Sequence, residues 1–137
     1  MRRTVFVDTS GWLAIVNKSD ELHALALRIK RTLTENKVSL TTTDFVVIEA
    51  ANSLSRTPLR RLAIELVQFI RDSGDVEVER ANSKVLDAAW DLYKSRTDKE
   101  WSLTDCASFV VMKQNGIQDA FTNDHHFEQA GFSILMK

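Results

Sequence analysis

Cysteine, proline and glycine are scarce in this sequence, and their scarcity excludes several kinds of protein. Among the 137 residues there are one cysteine, one proline and four glycines. A single cysteine excludes an internal disulfide and a cysteine-based zinc site. With so little proline and glycine and no long polar stretch, little of the chain is left for linkers or disorder. We therefore expect one folded domain, residues 1–137, around a single core.

An excess of one charge and long apolar runs are also missing. The formal net charge is −1, so the chain lacks the overall basic character typical of nucleic-acid-binding proteins. Basic residues cluster only at Arg2–Arg3, Arg28–Arg31 and Arg56–Arg61, which we interpret as solvated surfaces; the alternative is a rim that touches a phosphate backbone. No apolar run is long enough to span a bilayer, and a strand-like run begins at residue 4 with no signal peptide before it. We expect a cytoplasmic protein that does not contact membranes.

Strand-like and helix-like segments alternate along the chain. Strands are predicted at residues 4–8, 38–42, 76–78, 120–122 and 132–135, with helices between them. The helix at 45–54 is apolar nearly all round, which predicts that it is buried. This alternation favours an α/β fold, a three-layer α/β/α sandwich around a mostly parallel five-stranded sheet.

Four acidic residues lie where such a fold forms its binding sites. Asp8 and Asp124 follow apolar strands, and sites in parallel sheets form at the carboxyl ends of strands. Glu49 and Asp105 lie in apolar helical segments, where a carboxylate is costly to desolvate. Carboxylates about 4 Å apart repel by about 4 kcal/mol per pair at an effective dielectric near 20, unless a cation lies between them. Hard oxygen ligands of this kind predict a Mg²⁺ or Mn²⁺ site.

Each acid also has an ordinary structural explanation. Asp8 and Asp124 can each cap a helix, and Glu49 can form a surface salt bridge. The sequence Ser102-Leu103-Thr104-Asp105 matches the capping-box pattern, which accounts for Asp105 without any chemistry. The metal site is therefore predicted by the four acids together, because no single one of them requires it.

Other chemically suggestive residues are interpreted as structural. His125 and His126 adjoin Asp124, but adjacent residues do not share a helix face, so both are assigned to surface or packing. Cys106 lies in an apolar helix and is interpreted as a small buried hydrophobic residue. Trp101 is assigned to the core or an interface, with stacking on a nucleic-acid base as the alternative.

Four stretches together resemble the PIN-domain nucleases and, within them, the VapC-like toxins of prokaryotic type II toxin–antitoxin pairs. The matching stretches are Val5–Ser10, Thr41–Ala50, Ser102–Met112 and Ala120–Phe127. The resemblance covers essentially the whole chain. It carries the acidic quartet of the family onto Asp8, Glu49, Asp105 and Asp124.

What the resemblance implies is a metal-dependent endoribonuclease. The four acids would hold Mg²⁺ or Mn²⁺, water would attack an RNA phosphodiester, and the products would carry a 5′-phosphate and a 3′-hydroxyl. Thr9 or Ser10 would hydrogen-bond a phosphate oxygen. The resemblance also implies an RNA substrate, a cognate antitoxin protein as partner and a homodimer. A stand-alone RNA-processing or structure-specific nuclease, and a non-catalytic RNA- or protein-binding module, are the alternatives.

Overall fold

Five parallel strands form one sheet in the computed structural model, which describes residues 3–137. The strands are β1 (Thr4–Val7), β2 (Ser39–Thr43), β3 (Val76–Glu79), β4 (Asp119–Phe121) and β5 (Ser133–Ile134). Their order across the sheet is β3-β2-β1-β4-β5, and each neighbouring pair is parallel. The predicted five-stranded α/β fold is confirmed, with a sheet that is wholly parallel over the described residues.

Seven helices cover the two faces of this sheet. They are α1 (Thr9–Val16), α2 (His23–Glu35), α3 (Asp44–Ser53), α4 (Arg60–Asp72), α5 (Ser83–Ser95), α6 (Leu103–Gln114) and α7 (His125–Gln129), with a short 3₁₀ helix at Thr57–Leu59. The chain moves from β1 through β2 to β3 in one direction, then returns to place β4 and β5 on the other side of β1. Right-handed crossovers in opposite directions place α1–α4 and α5–α7 on opposite faces. The predicted three-layer sandwich is confirmed.

The core is built around the central strand and a group of aromatic rings. Val5, Phe6 and Val7 of β1 are fully buried, as expected for a parallel sheet covered on both faces. Trp101 packs edge-on against Phe109 with ring centroids 5.1 Å apart, and it is only 6% exposed. The assignment of Trp101 to the core is therefore correct, and its ring is not available to stack on a base.

Helix α3 differs from the prediction that it is buried all round. Its inner face carries the buried residues Val46 and Ala50, while Ile48 is 57% exposed and Glu49 is also exposed. The prediction was wrong because a run of apolar residues does not show whether a second layer covers the outer face of a helix. In this fold α3 is an outer-layer helix that buries one face.

The basic clusters lie mainly on solvated surfaces, as expected. Arg28, Arg31, Arg56, Arg60 and Arg61 are all exposed. In the first cluster the guanidinium of Arg3 pairs with Asp119, with Nη2 2.7 Å from Oδ2, and Arg2 lies outside the described residues. Over residues 3–137, none of the helices combines the length and the apolar character needed to cross a membrane.

Candidate active site

The four acids singled out from the sequence come together beside the carboxyl ends of β1 and β4. Asp8 directly follows β1, Asp124 lies shortly after β4, and these two strands are neighbours in the sheet. Glu49 is supplied by α3 and Asp105 by the first turn of α6. The negative charges of Asp105, Glu49 and Asp124 all raise the pKa of Asp8, so the four carboxylates share one electrostatic environment.

Asp8 is the most deeply buried of the four. Its residue is 4% exposed, and its Oδ2 accepts a hydrogen bond of 3.2 Å from the hydroxyl of Thr122. Its Oδ1 is buried and has no hydrogen-bond partner among residues 3–137. Burial is the main cause that raises the pKa of Asp8 to about 7, with the neighbouring acids adding to it and the Thr9 backbone N–H opposing it. Such unsatisfied buried oxygens are uncommon and point to a missing ligand.

Two hydroxyl groups fix the ends of β1 and β4 relative to each other. The oxygens of Ser10 and Thr122 are 2.8 Å apart, and the backbone N–H of Asn123 donates to Ser10 Oγ at 3.2 Å. The backbone N–H of Asp124 donates to Thr122 Oγ1 at 3.1 Å. Ser10, which the sequence suggested as a phosphate contact, is therefore engaged in holding the acidic loops.

Asp105 belongs to a capping box and to the acidic cluster at the same time. Its backbone N–H donates to Ser102 Oγ at 2.9 Å, and its Oδ2 accepts from the Ser102 backbone N–H at 3.1 Å. Burial is the largest cause that raises the pKa of Asp105; the Ser102 hydrogen bond opposes it and the negative charge of Asp124 adds to it. The structural explanation of Asp105 is thus correct, and it places the carboxylate inside the cluster.

Asp124 caps the short helix α7, and His126 is joined to it twice. The backbone N–H of His126 donates to Asp124 Oδ1 at 2.9 Å, and the His126 ring Nδ1 lies 3.3 Å from the same oxygen. The same Nδ1 is 3.3 Å from Asp105 Oδ2. Sequence analysis assigned His126 to surface or packing, and this contact with two acids was missed.

The adjacency of the two histidines explains why His126 was missed. The side chains of His125 and His126 are 71% and 20% exposed, yet their rings lie side by side with centroids 4.6 Å apart. A ring nitrogen of each and a carboxylate oxygen of Asp124 lie within 4.8 Å of one another. The rule that adjacent residues do not share a helix face gives neither this proximity nor which histidine is the more buried. The available signal was the capping role of Asp124, since a helix cap brings its side chain close to the residue two positions later.

Glu49 lies at the open side of the cluster. Its Oε1 accepts a hydrogen bond of 2.5 Å from the hydroxyl of Thr9, the first residue of α1. Glu49 therefore has the partner that a carboxylate on an apolar helix requires, although the partner is a hydroxyl and not a basic side chain. Beside it lies an open cleft of about 480 Å³, lined by Glu49 together with Phe45, Ile48, Asn52, Ser53 and Thr104.

In each of the four carboxylates, only one of the two oxygens accepts hydrogen bonds within residues 3–137. Each one receives its side-chain hydrogen bonds from the described residues on a single oxygen: Asp8 Oδ2, Glu49 Oε1, Asp105 Oδ2 and Asp124 Oδ1. The second oxygen of each acid accepts none of these hydrogen bonds, and in Asp8 that oxygen is the buried one without a partner. This set of hard oxygen donors fits Mg²⁺ or Mn²⁺.

Cys106, next to Asp105, is inert. It is fully buried, as expected from the sequence, and burial raises the pKa of its thiol to about 11. Since the thiolate is the reactive form, this cysteine does not serve as a nucleophile near neutral pH.

Comparison with known proteins identifies the family to which this fold belongs. The PIN domain family matches residues 5–133. The curated protein "23S rRNA-specific endonuclease VapC20", found in two strains of Mycobacterium tuberculosis, is 34% identical over 128 residues, which cover 93% of this chain and 95% of VapC20.

Solved structures give the same result. The crystal structure of M. tuberculosis VapC20, described there as a sarcin–ricin loop cleaving toxin, matches with a TM-score of 0.83 over 93% of this chain and 95% of that one. FitAcB from Neisseria gonorrhoeae matches with a TM-score of 0.63 at 14% identity over 95% of each chain, which is a likeness of fold alone. The chain therefore belongs to the PIN-domain family and, within it, to the VapC-like proteins.

Proposed function

We propose that this chain is a divalent-metal-dependent endoribonuclease of the toxin type, which cuts RNA phosphodiester bonds by the attack of water. The single observation that carries the proposal is the buried Asp8, whose Oδ1 has no partner among the described residues and whose pKa is raised first by burial and further by three acidic neighbours. A divalent cation bound there would satisfy this oxygen and offset the repulsion among the carboxylates. VapC20, the 34% identical relative, is named for cleaving 23S rRNA, which supports RNA as the substrate class.

Asp8, Asp105 and Asp124 would hold Mg²⁺ or Mn²⁺, with Glu49 completing the set directly or through water. When bound, the ion supplies Lewis-acid stabilisation of the phosphate and lowers the pKa of a water molecule. Thr122, Ser102 and Thr9 hydrogen-bond one oxygen of Asp8, Asp105 and Glu49, so that the other oxygen would remain available to the ion.

We assign to Glu49 the role of general base, which accepts the proton of the attacking water. It is exposed, it borders the open cleft where a nucleic-acid strand can approach, and Thr9 holds only one of its oxygens. A general base must lie within hydrogen-bond reach of the proton that it removes, and Glu49 is the one exposed residue among the four acids.

The direct test is cleavage of an RNA oligonucleotide that copies the sarcin–ricin loop, with Mg²⁺ or Mn²⁺ present. We expect products with 5′-phosphate and 3′-hydroxyl ends, because water and not the ribose 2′-hydroxyl attacks. Asp8→Asn should reduce the cleavage rate by about 100-fold or more, since it removes a charge on which ion binding depends. Asp87→Asn, the same chemical change at an exposed position on α5, should leave the rate unchanged.

Three outcomes would contradict the proposal: 2′,3′-cyclic phosphate ends, full activity in EDTA, or undiminished activity of Asp8→Asn. Parallel assays on single-stranded RNA, tRNA and flap DNA separate this function from that of a structure-specific nuclease. Binding of RNA without turnover would identify a non-catalytic module.

The proposal extends to the setting in which the enzyme works. We propose that the toxin acts in the cytoplasm as a homodimer and is restrained by a cognate antitoxin protein, as its similarity to a VapC toxin suggests. Light scattering of the purified chain measures the dimer. Co-expression with the product of the neighbouring reading frame should suppress both growth arrest and RNA cleavage if that product is the antitoxin.

A further inference from the structure

His126 joins two of the four carboxylates. Its ring Nδ1 is 3.3 Å from Asp105 Oδ2 on α6 and 3.3 Å from Asp124 Oδ1 at the start of α7. The contact with Asp105 is a hydrogen bond to a carboxylate oxygen, which accepts, so it requires the ring proton on Nδ1; the hydrogen bond to Asp124 comes from the His126 backbone N–H. Of the side chains in the cluster, this is the one whose single nitrogen lies at equal distance from two acids.

His126 contacts the same two carboxylate oxygens that already accept backbone hydrogen bonds. Asp105 Oδ2 also accepts from the Ser102 backbone N–H, and Asp124 Oδ1 also accepts from the His126 backbone N–H. His126 therefore leaves Asp105 Oδ1 and Asp124 Oδ2 untouched. These two oxygens are the ones that an ion in the cluster would bind.

The neighbouring residue holds His126 in place. Phe127 is fully buried, and its ring packs against Phe109 with centroids 4.9 Å apart and against Phe6 at 6.4 Å. With Phe127 in the core and His125 in solvent, the ring of His126 is directed toward the gap between α6 and α7.

We propose that His126 is a positioning residue: its ring Nδ1–H binds Asp105 while its backbone N–H binds Asp124, which sets the relative orientation of the two acids so that each presents its remaining oxygen to the metal ion. This inference rests on the proposed function. Groups that hydrogen-bond metal ligands orient them, and their removal typically weakens metal binding about 10–100-fold.

Three variants separate the hydrogen bond from other roles of the side chain. In His126→Asn the amide nitrogen is separated from Cα by the same number of bonds as Nδ1, so a donor is kept near its place. In His126→Leu the donor is lost but an apolar side chain of comparable size remains. Asp87→Asn, at an exposed position on α5, is the control outside the cluster.

The measurement is the dissociation constant of Mn²⁺ for the purified full chain, from the electron paramagnetic resonance signal of free Mn²⁺. We expect His126→Leu to raise the constant about tenfold or more, His126→Asn to raise it less than about threefold, and Asp87→Asn to leave it unchanged. Equal losses in His126→Asn and His126→Leu, or no loss in either, would overturn the positioning role.

A second measurement tests whether His126 binds the ion itself. Electron spin-echo modulation of bound Mn²⁺ detects a nitrogen atom that coordinates the ion directly, and we expect no such signal in the unaltered chain. A nitrogen signal in the unaltered chain that disappears in His126→Asn would overturn the proposal. The spin-echo measurement uses only the unaltered chain and the asparagine variant. It therefore decides whether His126 coordinates the ion even if His126→Leu does not fold. Failure of the unaltered chain to bind Mn²⁺ would instead refute the proposed function, and this inference with it.

Discussion

Among single residues, Asp8 has opposing requirements: its burial favours the neutral carboxyl group, whereas metal binding needs the ionised carboxylate. A carboxyl group that is 4% exposed and has one unpartnered oxygen favours its neutral form, and burial accordingly raises its pKa from 3.8 to about 7. Above neutral pH the metal-free chain must bury an ionised carboxylate beside three others. This cost is removed either by a proton or by a cation.

The first prediction concerns the pH dependence of stability without metal. Because the folded-state pKa of Asp8 is raised, its stabilising contribution is complete below about pH 4 and is lost as pH rises through about 7. A shift from 3.8 to about 7 corresponds to roughly 4 kcal/mol at 1.36 kcal/mol per pKa unit. In EDTA, Asp8→Asn should therefore be more stable than the unaltered chain at pH 8 and of similar stability at pH 4, as measured by urea unfolding.

Ser108 provides the control for that experiment. Its hydroxyl is the other buried side-chain oxygen without a partner among the described residues, and it does not titrate in this range. Ser108→Ala should shift the free energy of unfolding by a similar amount at every pH, because it removes an unsatisfied hydroxyl whose charge does not change with pH. If the gap between Asp8→Asn and the unaltered chain were equally independent of pH, the raised pKa of Asp8 would be wrong.

The residue scale also shows what sequence reasoning can and cannot find. Asp8 and Asp124 were identifiable because strand ends can be recognised from apolar runs, and Asp105 because it is an acid in an apolar helical segment, although its capping box offered an explanation without chemistry. The inward turn of His126 was not identifiable, since it depends on Phe127 entering a core whose other members are distant in sequence. The hydroxyl contacts of Thr122 and Thr9 likewise exist only after the strands are paired.

At the scale of the element, the close approach of α1 to the end of β4 depends on Gly11. A Cβ atom at this position would overlap the backbone carbonyl oxygen of Phe121 and touch its ring. Backbone atoms cannot move aside as a flexible side chain can. The absent side chain thus allows the helix that carries Thr9 and Ser10 to lie against the strand that leads to Asp124.

The second prediction follows from this contact. Gly11→Ala should lower the free energy of unfolding by about 2 kcal/mol or more, as is typical of overpacking in a tight interior, and should weaken Mn²⁺ binding because it separates α1 from β4. Gly74→Ala is the matched control, because a Cβ there meets nothing within 4 Å. Urea unfolding measures both variants, and equal stability of the two would contradict the account of Gly11.

Two helices show how far local sequence decides the structure of an element. The capping box of α6 was predictable from four consecutive residues, and it forms with both of its hydrogen bonds. The exposure of Ile48 on α3 was not predictable from its apolar neighbours, because it depends on where the outer layer ends. Local hydrogen bonding is encoded in short segments, whereas burial is a property of the assembled layers.

For the whole molecule, the site lies at the topological switch point of the sheet. The strand order places β2 on one side of β1 and β4 on the other. The connections that follow β1 and β4 therefore leave in opposite directions, and a crevice forms at the carboxyl ends of these two strands. The alternation of strands and helices in the sequence predicted a parallel sheet. It did not give the strand order, because nothing in the local pattern of β4 shows that it pairs with β1 and not with β3.

The third prediction is that metal binding stabilises the entire fold. An ion held by side chains from β1, α3, α6 and the loop after β4 binds only the folded chain. At a Mn²⁺ concentration 100 times the dissociation constant, the gain should be about 2.7 kcal/mol, which corresponds to a rise in melting temperature of roughly 10 °C for a domain of this size.

Differential scanning calorimetry with and without Mn²⁺ measures this gain. Asp8→Asn should lose most of it, whereas Asp87→Asn on the surface of α5 should keep it. An equal rise in both variants would mean that the ion binds elsewhere, and no rise in the unaltered chain would argue against the cluster as a metal site.

The pairing of Thr122 with Asp8, which lie 114 residues apart, has a consequence for how the protein is made. A ribosome that has translated the first hundred residues has produced Asp8 and Glu49 but neither of the other two acids. On the proposed function, such a nascent chain is harmless to the machinery that is synthesising it. On the same proposal, the complete set of four acids assembles only when β4 has paired with β1, so the site forms after the C-terminal part of the chain has been synthesised.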